Sequence, residues 1–301
     1  MSVIEFHHVS FVYNKKDPNR YDAINDINFN IEENDFVALV GKTGSGKSTL
    51  IQTLNGLLLP SKGYTKVKDF IVTGDKEVIK KLVKEKKYKK KELKNFSKLR
   101  KEVGMVFQFP EYQLFSETVL KDVMFGPKNF GFSEKEAEER AKECLTKVGL
   151  DESYYSRSPF ELSGGEKRRV AIAGIIASNP SILVLDEPTV GLDPNGRKEI
   201  LNLVKKIHEE GTTIIIVTHD METVMNYANK VIVLKDSKYL GMMKPSELFN
   251  KDDIESFSLE VPPFYKFKRL LKEKGYKKDI KKANDLTSLI DAISSNKENN
   301  K

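Results

Sequence analysis

A chain of 301 residues, 39% of them hydrophobic, is long enough to bury one large core with a small appendage. Its longest apolar runs, such as SILVLDEP and TTIIIVTH, are strand-length and far short of the roughly 20 residues that a membrane span needs. The single cysteine, Cys144, excludes an internal disulfide and a cysteine zinc cluster, and the net charge of +7 is local rather than general: residues 76 to 101 hold thirteen Lys/Arg against three Glu, so the rest of the chain is slightly acidic. Cys144 itself is expected on a buried helix position, and the composition suits the cytoplasm.

MSVIEFHHVSFVY alternates like a strand, and is expected to be one rather than a leader. His7 and His8, and later His208, have no chemical context and are assigned to structure or surface. Next, the apolar run Phe36 to Val40 stops at Gly41 and a helical pattern starts near Gly46. Between them GKTGSGKS matches G-x-x-x-x-G-K-[ST]. Glycines let such a loop turn successive N–H groups toward one anion, and the helix adds its positive end. Gly41, Lys42, Thr43, Gly44, Ser45, Gly46, Lys47, Ser48 and Thr49 are therefore expected to hold the phosphates of a nucleoside triphosphate. Lys47 would reach the β- and γ-phosphates and Ser48 would ligate Mg2+.

The lysine-rich run 76–101 reads first as a solvated excursion, with anionic lipid headgroups and nucleic acid as alternative partners. After it, VFQFPEYQLF sets one amide, Gln108, among Phe109, Pro110, Tyr112, Leu114 and Phe115, which follow neither helical nor strand spacing. Further on, LSGGE opens a helical pattern, with Ser163 as N-cap and Gly164 and Gly165 leaving the first N–H groups bare. A second anion seat in one chain is most simply explained by a head-to-tail dimer, each chain capping the triphosphate held by the other's Lys47 loop. The strand SILVLDEP then carries Asp186 to its carboxyl end, where α/β sheets place ligands. Asp186 suits Mg2+, directly or through water, and Glu187 suits polarising the attacking water.

These motifs, taken in order with VGLD and the His219 of IIIVTHD, resemble the ABC-type ATPases over roughly residues 3 to 248. The resemblance implies an α/β P-loop NTPase: a mixed core sheet, an N-terminal antiparallel β layer, and a helical subdomain over about 112–178 carrying the signature. By position, Gln108 resembles the Q-loop residue that touches Mg2+ and water, and Asp193 the D-loop residue that crosses to the partner. Likewise His219 resembles the switch histidine on the γ-phosphate, Ser163–Glu166 the signature, and Tyr13 the aromatic that stacks on adenine, with Tyr21 as the alternative. Glu166 departs from the commoner glutamine, a variant expected to matter little.

The wording of FQFPEYQLF and FELSGGEKRRVAIAG is similar to the energy-coupling factor transporter ATPases, most of all to the second of their two paired subunits. That implies ATP and Mg2+ as cofactors and a peripheral place on the cytoplasmic side of the cell membrane. It also implies a paralogous ATPase partner rather than a homodimer, a transmembrane coupling protein, and interchangeable substrate-binding membrane proteins that take up vitamins or other micronutrients. Phe109, Pro110, Tyr112, Leu114 and Phe115 would then receive a helix of the membrane partner, unless they fill the helical subdomain's core. The spacing of Leu270, Leu271, Leu286, Leu289, Ile290 and Ile293 predicts a C-terminal helical appendage over 251–293 that joins the two ATPases or caps the main domain, followed by a disordered tail, 294–301. A cobalt- or nickel-importing member and a soluble ABC ATPase acting on nucleic acid remain the competing readings, although nucleic acid is disfavoured.

Overall fold

Strand β3 (Phe36–Val40) buries all five of its side chains, and the two faces feed different cores. Phe36, Ala38 and Val40 join the helix-side cluster, whereas Val37 and Leu39 join a second cluster beneath an antiparallel sheet. β7 (Ile182–Asp186) and β8 (Thr213–Val217) split their side chains in the same way. Continuous apolar runs are what parallel strands covered on both faces require. The chain is an α/β, three-layered P-loop fold, seen in a computed structural model that describes residues 1–89, 93, 95–251, 253–274, 280, 283, 287–291 and 293.

The middle layer is a six-stranded sheet in the order β10-β9-β3-β8-β7-β6, with β6 at Val103–Val106, β9 at Lys230–Lys235 and β10 at Lys238–Met243. Its strands run parallel except β10, which returns antiparallel beside β9. The outer layer is an antiparallel sheet of order β2-β1-β4-β5, from β1 (Ser2–Tyr13), β2 (Tyr21–Glu32), β4 (Lys62–Val67) and β5 (Phe70–Val72). Val3, Phe6, Ile24 and Ile31 of that layer pack on Val37, Leu39, Ile215 and Val217, with Leu50 and Ile51 of α1 (Lys47–Gln52) between them.

On the opposite face stand α4 (Val119–Asn129), α5 (Glu134–Lys147) and α6 (Gly164–Ile176), then α7 (Pro194–Glu209) and α8 (Met221–Tyr227). Cys144 is buried in α5, and burial pushes its thiol up to about 11, so it stays protonated at neutral pH. Two short helices, α2 (Lys76–Lys84) and α3 (Ser97–Glu102), lie in the lysine-rich excursion, and α9 (Pro245–Phe249) follows β10.

Beyond α9, α10 (Pro263–Glu273) leads to a small separate cluster in which Ile280, Ala283 and Leu289 pack with Phe264, Leu271 and Ile293. Leu270 departs from the expected pattern and faces solvent, because Tyr265 and Lys268 take the buried side of α10 instead. Lys268 donates to Ala283 O at 2.8 Å and to Asn250 Oδ1 at 3.3 Å, which ties the appendage to the end of α9. Leu286 and the tail 294–301 lie outside the described residues. Among the described residues no helix is long and apolar enough to cross a membrane.

Candidate active site

Parallel order puts the carboxyl ends of β3, β6, β7 and β8 along one rim, and the loops leaving them carry the chemistry. A cavity of about 420 Å³ opens there, lined by Thr43, Gly44, Gly46, Lys47, Ser48, Thr49, Gln108, Asp186, Glu187 and His219, together with Tyr21 and Val190. Five chain segments, from Tyr21 to His219, thus meet in one pocket.

The loop after β3 turns at Gly46, whose φ of 99° lies in the left-handed region, and a Cβ there would run into the Ala23 carbonyl. No side chain caps α1, so its first N–H groups point into the loop. Lys47 Nζ donates to Gly41 O at 2.7 Å and Lys42 O at 3.1 Å, which holds the ammonium across the loop mouth. Burial lowers its pKa, opposed by the charges of Glu187 and Asp186. Burial likewise raises the pKa of Asp186, opposed by a hydrogen bond from Ser48 and by Lys47. Each of these charges therefore carries a desolvation cost that a bound phosphate and cation would offset. The Ser48 hydroxyl, Gln108 amide oxygen and Asp186 carboxylate form a hard-oxygen set that fits Mg2+ and would suit a softer metal poorly.

Glu187 and His219 were separate expectations in the sequence, and the fold joins them. Glu187 Oε1 lies 2.9 Å from His219 Nδ1. The Glu187 backbone sits at φ 51°, an uncommon position for a non-glycine, and its N–H donates to Val217 O at 2.9 Å. That strained anchor aims the carboxylate into the cavity while its β7 neighbour Asp186 ends the strand. The Glu187 side chain is 16% exposed and His219 is 75% exposed, so the pair runs from the covered glutamate out to a solvent-facing histidine.

Tyr13 stands at the end of β1, directly across from Tyr21 on β2. Its hydroxyl is 3.3 Å from Thr49 Oγ1 and its ring packs edge-on against Phe11. Tyr21 rather than Tyr13 lines the cavity, and its hydroxyl donates to Gly44 O at 2.8 Å.

Away from this rim, Ser163 caps α6 through a reciprocal capping box: its N–H donates to Glu166 Oε2 at 2.8 Å and its Oγ accepts from the Glu166 N–H at 3.3 Å. Tyr154 donates to the other oxygen of Glu166 at 2.8 Å. Hydrogen bonds from Ser163 and then Tyr154 hold the Glu166 carboxyl below its ordinary range. The departure from glutamine thus has a local structural role. Open space surrounds the positions where Gly164 and Gly165 lack a Cβ. Asp193 is exposed and caps α7, accepting from Gly196 N at 2.6 Å.

Sequence reading missed Arg168 and Glu111. Arg168 on α6 is only 2% exposed. Its guanidinium grips both oxygens of Glu111, at 3.1 and 2.7 Å, and donates to Pro188 O at 3.1 Å and Val190 O at 2.7 Å. One side chain thereby ties the signature helix to the stretch after Gln108 and to the stretch after Glu187. The signal was available: Arg168 falls in phase with buried Ile172, and a charge on a buried face demands a partner.

The expected docking patch needs correction. Pro110 starts a 3-10 turn (Pro110–Gln113) and is buried, and Leu114 is only 7% exposed, so neither can serve as an exposed contact. Phe109 takes φ 56° and is half-buried below Arg168. Tyr112, 84% exposed, and Phe115, 58% exposed, remain at the surface, and Phe115 stacks edge-on with Phe125 at 4.8 Å. Beside them runs a groove of about 410 Å³ whose walls include Leu57, Arg100, Phe107, Leu114, Phe115, Phe125 and Ile175.

The ABC transporter family model matches residues 24–190. The chain belongs to the ABC transporter family. Within it, the energy-coupling factor transporter ATP-binding protein EcfA2 of Streptococcus pneumoniae is 48% identical over 274 residues, covering 90% of this chain and 92% of that one. The protein of the same description from Clostridium tetani is 48% identical over 276 residues, covering 91% and 90%. Among solved structures, cbiO1 of Clostridium perfringens, described as part of the ABC transporter complex cbiONQ, superposes with a TM-score of 0.69 at 35% identity over 89% of this chain and 99% of that one. A dimeric ATP-binding cassette in a post-hydrolysis state with ADP and Pi superposes with a TM-score of 0.67 at 30% identity, covering 80% and 98%. This ABC chain is an ATPase of the energy-coupling factor type on a cassette fold.

Proposed function

We propose that the chain is the second of two paired ATPases that power an importer for vitamins or other micronutrients, working at the cytoplasmic face of the cell membrane. The observation that carries the pairing is the separation of two anion seats within one chain. The Lys47 loop lines the cavity, while Gly164 and Gly165, next to the Ser163 cap, present bare helix-start N–H groups outside it. Two chains facing head to tail bring each seat onto the other's γ-phosphate, with Asp193 crossing beside it. Tyr13 does not line the cavity but adjoins its wall at Thr49 and Tyr21, and stacks on an adenine that extends past that wall. The resemblance to EcfA2 proteins supports a paralogous partner over a second copy of this chain.

The cofactor would be held by Ser48, Gln108 and Asp186. When bound, Mg2+ would neutralise charge on the β- and γ-phosphates. Glu187 orients the attacking water and takes its proton as oxygen bonds to the γ-phosphorus and the bond to ADP breaks. His219 reaches from Glu187 to the γ-phosphate. The groove beside Phe115 receives a helix of the membrane coupling protein, and closure of the two ATPases moves that helix.

Phe115→Asp is the test of this reading, because it places a charge on the groove wall outside the ATP cavity. Copurification of the membrane partner is expected to fall by about tenfold or more, with ATP affinity unchanged. Undiminished recovery of the partner would remove the groove as its seat.

A further inference from the structure

We propose that α2 and the lysines around it contact anionic phospholipid headgroups beside the membrane-partner groove; this rests on the transporter reading above. Laid out at helical spacing, Val78, Ile79, Leu82 and Val83 occupy one side of α2, and Lys76, Lys80, Lys81 and Lys84 the other. A surface helix of this kind normally hides its apolar stripe in a core. Here no residue of α2 is buried, and Val83 is 38% exposed. The helix start is nonetheless fixed: Asp75 accepts from Glu77 N at 2.9 Å and from Gly63 N at 3.1 Å, which anchors it to β4.

Charge identifies the occupant. From Lys76 to Lys89 the sequence carries seven lysines and two glutamates, in a chain that is slightly acidic elsewhere. The two glutamates pair with Lys80 and Lys87, each at 2.8 Å. Among the described residues Lys76, Lys81, Lys84 and Lys86 form no ion pair, and all four are exposed. A short helix with an apolar stripe that is only partly covered and a basic opposite face suits the boundary between headgroups and acyl chains, and lysines are drawn to an anionic leaflet. α2 has no aromatic residue to stack on bases, which disfavours nucleic acid.

Position agrees. The excursion reaches the groove through its own α3: Arg100 and Lys101 line the groove, while Tyr88, Phe96 and Lys98 line a cavity of about 530 Å³. A helix reaching the groove from the bilayer would bring headgroups to the same side.

The test is cosedimentation of the purified full chain with vesicles of phosphatidylcholine alone or of phosphatidylcholine with phosphatidylglycerol, at low and high salt. Binding is expected only to the anionic vesicles and is expected to weaken with salt. Replacing Lys76, Lys80, Lys81 and Lys84 together by Gln should weaken it by more than about tenfold. The pair Ile79→Ser and Leu82→Ser should weaken it too, with ATP affinity unchanged in both variants as the sign of a folded chain. Equal binding to both vesicle types, unchanged binding by the lysine variant, or displacement of the vesicles by a single-stranded RNA would overturn the proposal. No vesicle binding by a chain that still recovers a membrane partner would reject the lipid contact and leave the transporter reading standing. Vesicle binding without such a partner supports the contact and removes the transporter reading instead.

Discussion

Glu187→Gln is expected to leave ATP binding intact and to slow hydrolysis by about 10²–10⁴-fold, the usual worth of a positioned general base. The substitution keeps the shape and an oxygen that can still accept from His219, 2.9 Å away, and it leaves the backbone anchor to Val217 untouched. Lost is the basicity that receives the water's proton. Nucleotide titration and phosphate release from the isolated complex measure the two halves separately. Near-wild-type turnover would assign the base to another residue, and lost binding would make Glu187 a ligand of the nucleotide instead.

Arg168→Met is expected to destabilise the chain by about 3–5 kcal/mol, since it strands a largely covered carboxylate and orphans two carbonyls. Glu111 would keep its charge at a side-chain exposure of 14%, and Pro188 and Val190 would lose the donor they share. The double variant Glu111→Gln with Arg168→Met should regain part of that loss, because no uncompensated charge remains. Urea unfolding of the full chain gives both values. A loss below about 1 kcal/mol in the single variant would show the pair to be no better than a surface ion pair. Hydrolysis should fall beyond the stability effect, because Arg168 hydrogen-bonds both the segment after Gln108 and the segment after Glu187.

What the sequence disclosed follows from how locally each feature is determined. The Lys47 loop was legible because its glycines, lysine and serine are fixed within eight residues by the anion they cradle. Asp186 and Glu187 were legible because four apolar residues of β7, Ile182 to Leu185, end on them. The Glu187–His219 pair was not, since it depends on β7 and β8 lying side by side, a pairing that sequence spacing does not encode. Which residues of the docking patch fill the core was left open, because spacing cannot separate Pro110 and Leu114, turned inward by a 3-10 turn, from Tyr112 and Phe115. Arg168 escaped for the opposite reason: RR in a helix reads as solvated charge until the second face of that helix is known to be buried.

The most direct measurement is recovery of the tagged chain from gently solubilised membranes of its own host, with the associated proteins identified by mass spectrometry. Copurification of a second ATPase, distinct in sequence, with a multi-span membrane protein is the result expected of an importer subunit. Small substrate-binding membrane proteins in the same eluate would name the cargo. Recovery of ribosomes or DNA without any membrane protein would leave the ATPase chemistry in place and contradict the transport role.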